Sequence, residues 1–307
     1  MISLSRPLVH TLDLNFLGIP NAIASYLIHH KHGAVLVECG PGSTLKALTS
    51  SLGAQGLTPR DITDVLVSHI HLDHAGAAGW FARQGARVHV HHVGAPHMID
   101  PDKLLRSASR IYGDMMDQLW GEFLPVPEEQ ISILHDNDEI EIEGLVFRAL
   151  DTPGHAYHHM AYLFDDICFT GDVGGVRMRR CAPGPAHLRI PTPPPEFHIE
   201  KWHESINRLA AEKFSFIAPT HFGIFNDPGE HLAAVKTGLD EIEAWMENIM
   251  PGNPTTDALE QGIATWEKER ALADGVDIAA LESYEKASPA WMSAEGIRRY
   301  WSKVRDV

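Results

Sequence analysis

Residues 68–76 read SHIHLDHAG and follow directly on the apolar run Val65-Leu66-Val67. His69, His71, Asp73 and His74 crowd into this one short stretch. Histidine is the commonest metal ligand among side chains, and imidazole mixed with carboxylate suits zinc and similar ions. On an extended segment His69, His71 and Asp73, at i, i+2 and i+4, project to the same side. Solvated histidines at a polar strand end are the competing reading. The density of donor residues outweighs it, because a short donor-rich segment is a common way to hold a metal. Four neighbours cannot all close comfortably around one tetrahedral ion, so further ligands have to come from elsewhere in the chain.

Three other segments place ligand-type residues beside small residues after apolar runs: TPGHAYHH with His155, FTGDV with Asp172 and APTHFG with His221. Loops at strand ends are where an α/β scaffold presents its working residues. The surrounding pattern agrees. NAIASYLIHH and AVLVECG read as a hairpin about His32-Gly33. GSTLKALTSSLGAQG reads as a helix with Ser43 as N-cap and Gly53 and Gly56 as stops. A buried strand (DVLVSHI), a helix (AAGWFARQG) and a strand (ARVHVHH) come next, and such alternation predicts an α/β layered fold.

Residues 101–124 look like a helical insert, with Leu104, Leu105, Ala108, Ile111, Met115, Leu119 and Trp120 near helical spacing and a break at Gly113. This stripe either packs on the sheet or caps a pocket lined by Tyr112, Met115, Met116 and Trp120. Strand signals resume in EIEIEGLVFRALDT, AYLF and ICFTGDV, with a turn at Asp165-Asp166. The proline-rich PTPPPEFH (191–198) predicts an extended surface loop. A helix (IEKWHESINRLAAEKF) and a strand (FSFIAP) follow it. From about 229 the pattern is wholly helical. The expected organisation is a catalytic domain over 1–228 and a helical extension over 229–307 packed on it, which could also form a homodimer contact.

The chain has 307 residues and a formal charge of −16, from 25 basic and 41 acidic residues, and it holds 20 histidines. So acidic a chain argues against nucleic acid or an anionic membrane as partner and leaves a small-molecule substrate. Cys39, Cys168 and Cys181 are too scattered for a disulfide framework or a cysteine zinc site. The N-terminal stretch lacks the pattern of a secretory signal, and no apolar run approaches a membrane span, so a cytoplasmic protein is expected.

HIHLDH with a downstream GH, GD and late His resembles the metallo-β-lactamase-fold hydrolase superfamily, on its glyoxalase II-like branch, over roughly residues 10–225. The resemblance implies an αββα sandwich with two divalent metal ions at one edge of the paired sheets. It assigns His69, His71 and His155 to one ion and Asp73, His74 and His221 to the other, with Asp172 bridging. Zinc is the first choice, with iron(II) or manganese(II) compatible with the same ligands. Activity would come from a metal-bridging hydroxide oriented by Asp73, the candidate catalytic residue, and directed at an ester-type bond. One departure stands out: where the family carries Asp-X-Gly, this chain has Glu38-Cys39-Gly40. Glu38 then either steadies a ligand histidine or is a plain strand-end charge.

Within the superfamily, β-lactamases are exported and lack the bridging aspartate, RNA-processing members carry basic added segments, and diiron-flavin reductases append a flavodoxin domain. Thioester hydrolysis therefore ranks first, lactone hydrolysis second and phosphodiester hydrolysis third, with a metal-bearing interaction protein as the non-enzymatic alternative. The insert and helical tail resemble a bacterial thioesterase of quinolone-signal biosynthesis more than a compact lactonase. Other candidates are weaker. His158 and His159 suit hydrogen-bonded roles, His89, His91 and His92 suit ordinary packing, and Arg177, Arg179 and Arg180 form a weak pointer to an anionic substrate group.

Overall fold

The computed structural model describes residues 8–178 and 187–305. Arg179, Arg180 and Cys181 lie outside the described residues. The chain divides into two compact units, Met1–Ala149 and Leu150–Val307.

The first unit is built on a six-stranded sheet whose strands follow chain order. β1 (Val9–Asp13), β2 (Ala24–His30) and β3 (Gly33–Val37) form an antiparallel meander. β4 (Ile62–Leu66), β5 (Arg87–His91) and β6 (Ile131–Leu134) add in parallel. Parallel neighbours require crossovers, usually helical. These are α1 (Leu45–Ala54), then α2 (Leu72–Ala75) and α3 (Ala78–Gln84), then α4 (Ala95–Ile99), α5 (Asp102–Tyr112) and α6 (Met116–Leu119). Leu36, Val65 and Val88 from the strands meet Leu48, Leu52 and Phe81 from the helices in a fully buried cluster. This is why β3 reads as a continuous apolar run and not as an alternating one.

Most expected elements are found, with informative differences. The β2–β3 hairpin turns at Lys31-His32, one residue before the expected centre. Ser43 does not cap α1: its hydroxyl donates to the Leu119 carbonyl at 2.6 Å, and a short 3-10 turn at Gly42–Thr44 leads into the helix. The insert forms α5 and α6 with the break at Gly113, whose φ of +52° favours glycine. Its stripe packs on the sheet unit, with Trp120 and Ala108 buried and Leu104, Leu105, Tyr112, Met116 and Leu119 against them, while Met115 stays exposed. β1 and β6 carried too little alternation to be read from sequence.

A second sheet has the order β11-β10-β9-β8-β7. β7 (Glu139–Ile142) and β8 (Leu145–Asp151) form a hairpin, and β8 carries the chain into the second unit. There β9 (Met160–Phe164) pairs antiparallel with β10 (Ile167–Phe169), which runs parallel to β11 (Phe216–Ala218). Between β10 and β11 lies α7 (Ile199–Ala211). Four helices end the chain: α8 (Pro228–Ile249), α9 (Thr256–Ala273), α10 (Ile278–Ala287) and α11 (Ala290–Tyr300). Leu150, Trp202, Ile217, Leu239, Ile263 and Ile297 belong to one buried cluster, so the terminal helices share a core with the strands. No helix among the described residues is long and apolar enough to cross a membrane.

The proline-rich segment is the main surprise. Pro191, Thr192, Pro193 and Pro194 are buried, not exposed as the sequence suggested, because α11 packs against Thr192 and Pro193 through Ser293 and Gly296.

Candidate metal centre

In the first unit, β4 ends at Leu66 and the chain leaves the sheet through Val67, whose N–H donates to the His89 carbonyl at 3.1 Å. His69 and His71 therefore sit beyond the strand. His71 is the N-cap of α2, which carries Asp73 and His74. The extended-strand alternation inferred from sequence does not hold through Asp73. A tight helical turn capped by His71 presents Asp73 and His74 instead, with the N–H groups of His74 and Ala75 donating to the His71 carbonyl at 3.1 and 3.0 Å.

That turn makes the imidazoles converge. His69 Nε2 lies 2.8 Å from His71 Nδ1, and the His69 and His74 rings are 4.0 Å apart. His74 Nε2 lies 3.7 Å from Asp73 Oδ2. His69 and His74 are fully buried, whereas the Asp73 side chain is 20% exposed. At 2.8 Å one ring N–H can donate to the other ring's unprotonated nitrogen, and the same lone pairs are the ones a cation would use.

The back of this turn is tied down. The Ser68 hydroxyl lies 2.9 Å from His69 Nδ1 and 3.4 Å from His74 Nδ1. Glu38 Oε1 accepts from the Ser68 N–H at 3.2 Å and sits 3.4 Å from His74 Nδ1. Glu38 thus contacts a candidate ligand histidine despite its extra methylene. Its backbone is in the left-handed region, with φ of +64°, a conformation costing a side-chain-bearing residue about 1 kcal/mol. Two hydrogen bonds hold it there, from Ser25 Oγ to the Glu38 carbonyl at 2.7 Å and from the Glu38 N–H to Leu66 at 2.8 Å. Ser68 was missed by sequence reasoning, although its place directly before the first histidine was a usable signal. Burial, and then the Glu38 charge, pushes the Cys39 thiol well above its ordinary range, so it stays a neutral thiol.

The second unit brings the other three residues together. Asp172 places Oδ2 3.2 Å from His155 Nε2 and Oδ1 3.4 Å from His221 Nε2, with all three buried. One carboxylate oxygen for each histidine is the arrangement a bridging ligand needs. Asp172 and His221 follow β10 and β11, which run parallel and so bring their ends together. His155 follows β8 by way of Gly154, at φ +143°, where a Cβ would collide with the Trp202 backbone. His155 Nδ1 lies 3.0 Å from the Pro191 carbonyl. The turn after Asp172 is braced by Trp202 Nε1 donating to the Val173 carbonyl at 2.9 Å and by His231 Nε2 at 2.7 Å from the Gly174 carbonyl. Burial holds His231 down to about 4, so it braces as a neutral ring.

The weaker candidates resolve into structural roles. His159 is buried against Thr152 Oγ1 at 2.9 Å, and His158 lies 3.5 Å from Glu196. His89 has a carboxylate partner that the sequence did not reveal, Asp64 Oδ1 at 2.7 Å on the adjoining strand β4. Burial of Asp64 opposes its ionisation, but the hydrogen bonds from His89 and Thr63 and the nearby His89 and His30 rings together outweigh this and hold its pKa below the ordinary value. His91 and His92 stack at 4.2 Å. Arg177 is engaged in a bidentate pair with Asp227 and lies over the Phe225 ring, so it is committed to holding the loop after β11.

His69, His71, Asp73, His74, His155, Asp172 and His221 each belong, among the described residues, to a group of three side chains that could hold a metal ion. The donors fit: five imidazoles, of which His69, His74 and His155 have the second nitrogen beside Ser68 or a backbone carbonyl, together with two carboxylates.

The sequence signature of the Metallo-beta-lactamase superfamily spans residues 18–221. The chain is similar to the metallo-beta-lactamase fold-containing protein ST1585 of Sulfurisphaera tokodaii, at 29% identity over 52% of this chain and 60% of that protein. The crystal structure described as that of ST1585 from Sulfolobus tokodaii superposes with a TM-score of 0.67, at 21% identity, over 96% of this chain and 99% of that one. An atrochrysone carboxyl ACP thioesterase of Aspergillus fumigatus is 29% identical over 48% of this chain and 38% of its own length. A hydroxyacylglutathione hydrolase of Rhodopseudomonas palustris is 31% identical over 48% of this chain and 46% of its own. The sequence alignments with these relatives span between 38% and 60% of the relatives' own lengths. With the fold, the histidine-rich turn and a signature over two thirds of its length in agreement, the chain belongs to the metallo-beta-lactamase superfamily.

Proposed function

We propose that the protein is a dinuclear metal-dependent hydrolase of small-molecule thioesters. In this reading His69, His71 and His155 hold one ion, Asp73, His74 and His221 hold the other, and Asp172 spans both. Zinc suits this mixed set first. The observation that carries the reading is the convergence of ligand nitrogens in the 69–74 turn, matched by Asp172 offering one oxygen to each of two histidines. Its support in relatives is the superfamily's hydrolytic character and the names thioesterase and hydroxyacylglutathione hydrolase among them.

Bound ions would supply Lewis acidity, polarising a carbonyl and making water easier to deprotonate. The chain's own residues do the rest. Asp73, partly open to solvent beside His74, would accept the proton of the attacking water and orient it. Ser68 and Glu38 hold the imidazoles of His69 and His74 in their working orientation, and the Pro191 carbonyl does so for His155. Carbonyl carbon is the expected target because thioesters are activated toward attack and need no strong leaving-group assistance.

The test is elemental analysis of protein purified without chelator, followed by turnover assays on acyl-glutathione, acyl-CoA and acyl-carrier-protein thioesters and a lactone set. Close to two ions per chain and highest kcat/KM on a thioester are expected. Metal-free protein from several metal supplements, or activity confined to lactones or phosphodiesters, would overturn the assignment.

A further inference from the structure

Proline lacks an N–H, so a run of prolines cannot be held in place by backbone pairing alone. Residues 187–194 nonetheless place the Pro191 carbonyl 3.0 Å from His155 Nδ1. What fixes that carbonyl comes from far along the chain. Tyr284 of α10 donates its hydroxyl to the His187 carbonyl at 3.1 Å and accepts from the Met178 N–H at 3.1 Å, stapling both arms of the segment with one oxygen. Arg189 pairs its backbone with Val176 at 2.9 and 3.1 Å. Its buried guanidinium donates to the Ser288 carbonyl at 2.8 Å and to Glu285 at 3.1 Å, and faces Glu267 of α9 at 3.5 Å. Thr192 lies against α11, where Gly296 leaves room for its carbonyl, and a Cβ at 296 would collide with that oxygen.

We infer that the C-terminal helices are a clamp that orients His155 through the 187–192 segment, with Arg189, Tyr284 and Gly296 as positioning residues that never touch the metal or substrate. The inference rests on the proposed role of His155 as a ligand. Anchors at 187, 189 and 192, drawn from three helices, bracket Pro191 on both sides. The hydrogen bond to Pro191 selects the ring form protonated on Nδ1 and leaves Nε2, 3.2 Å from Asp172, to bind. A helical tail that merely covered apolar surface would need none of these polar contacts to a single strap.

The test measures zinc affinity by competition with a chromophoric chelator, together with the His155 Nδ1 proton resonance, which needs no metal. Gly296→Ala displaces Thr192, and Tyr284→Phe removes only the staple and keeps the ring. Each is expected to weaken zinc binding by about 10- to 100-fold, the usual scale for losing a residue that supports a ligand, and to shift or broaden the His155 signal. Leu259→Ala, which thins the same helical core and removes none of the polar contacts that hold the strap, is expected to lower the unfolding midpoint and leave zinc affinity within about twofold of the parent, a margin small against the scale above. If Gly296→Ala fails to fold, Tyr284→Phe decides. Parental zinc affinity in the strap variants, or an equal loss in Leu259→Ala, overturns the clamp while the metal centre stands. A parent protein that takes up no zinc overturns the metal centre and the clamp together.

Discussion

Glu267 offers a quantitative test of how the helical region is held. It is buried in α9 beside Arg189, and neither carboxyl oxygen accepts a hydrogen bond from the described residues. Burial pushes its pKa from 4.5 up to about 7, even though Arg189 pulls the other way. At about 1.4 kcal/mol for each pH unit, that displacement is worth roughly 3 kcal/mol. The sign follows from proton binding. Between pH 4.5 and 7 the unfolded carboxyl has released its proton and the folded one still holds it, so stability is fully present below 4.5 and falls as pH rises through 7. Glu267→Gln mimics the protonated acid at every pH. Urea denaturation of both proteins, followed by the fluorescence of Trp245 and Trp266, should give similar stabilities near pH 4.5. Above pH 7 the variant should gain on the parent by about 3 kcal/mol. A difference between the two that stays constant within about 0.5 kcal/mol over this range would refute the reasoning. It would mean that the Arg189 and Arg270 charges already hold Glu267 ionised at ordinary acidity.

Asp73→Asn keeps volume but loses basicity, and should lower kcat by about 10²-fold or more with little change in KM; metal content measured in parallel separates this from an emptied site, and wild-type turnover with both metals retained would contradict the role. Ser68→Ala should weaken zinc binding about 10-fold by freeing the His69 and His74 rings, measurable by chelator competition. Stripping metal with a chelator should lower the thermal midpoint, and re-adding zinc at about 100 times its Kd should restore about 2.7 kcal/mol per site; an unmoved midpoint counts against a resident ion.

How much could be read in advance differs between the two halves of the site. The 69–74 cluster needed no tertiary information, because the residues are sequence neighbours and only their chemistry had to be noticed. Its local shape was misjudged, since α2 is too short to show a helical period and the strand pattern runs up to it. His155, Asp172 and His221 stood out only because each follows an apolar run beside glycine or threonine, and their order matched a known family. The β2–β3 hairpin, α3, β5, β9 and β10 were legible because turn residues and local apolar runs encode them.

The sequence by itself determined the α/β class, the seven candidate ligands, the family and the helical character of the tail, all of which depend on residue type and short-range periodicity. The tertiary structure alone decided which residues support the ligands. Ser68 and Glu38 meet His74 because β3 and β4 are parallel neighbours whose ends lie together, and the Asp64–His89 pair forms across β4 and β5 for the same reason. The burial of Pro191 to Pro194 is likewise invisible in a proline-rich string that reads as a surface loop. It follows from Arg189, Tyr284 and Gly296 meeting the strap, and contacts between residues about a hundred positions apart leave no periodic trace in sequence.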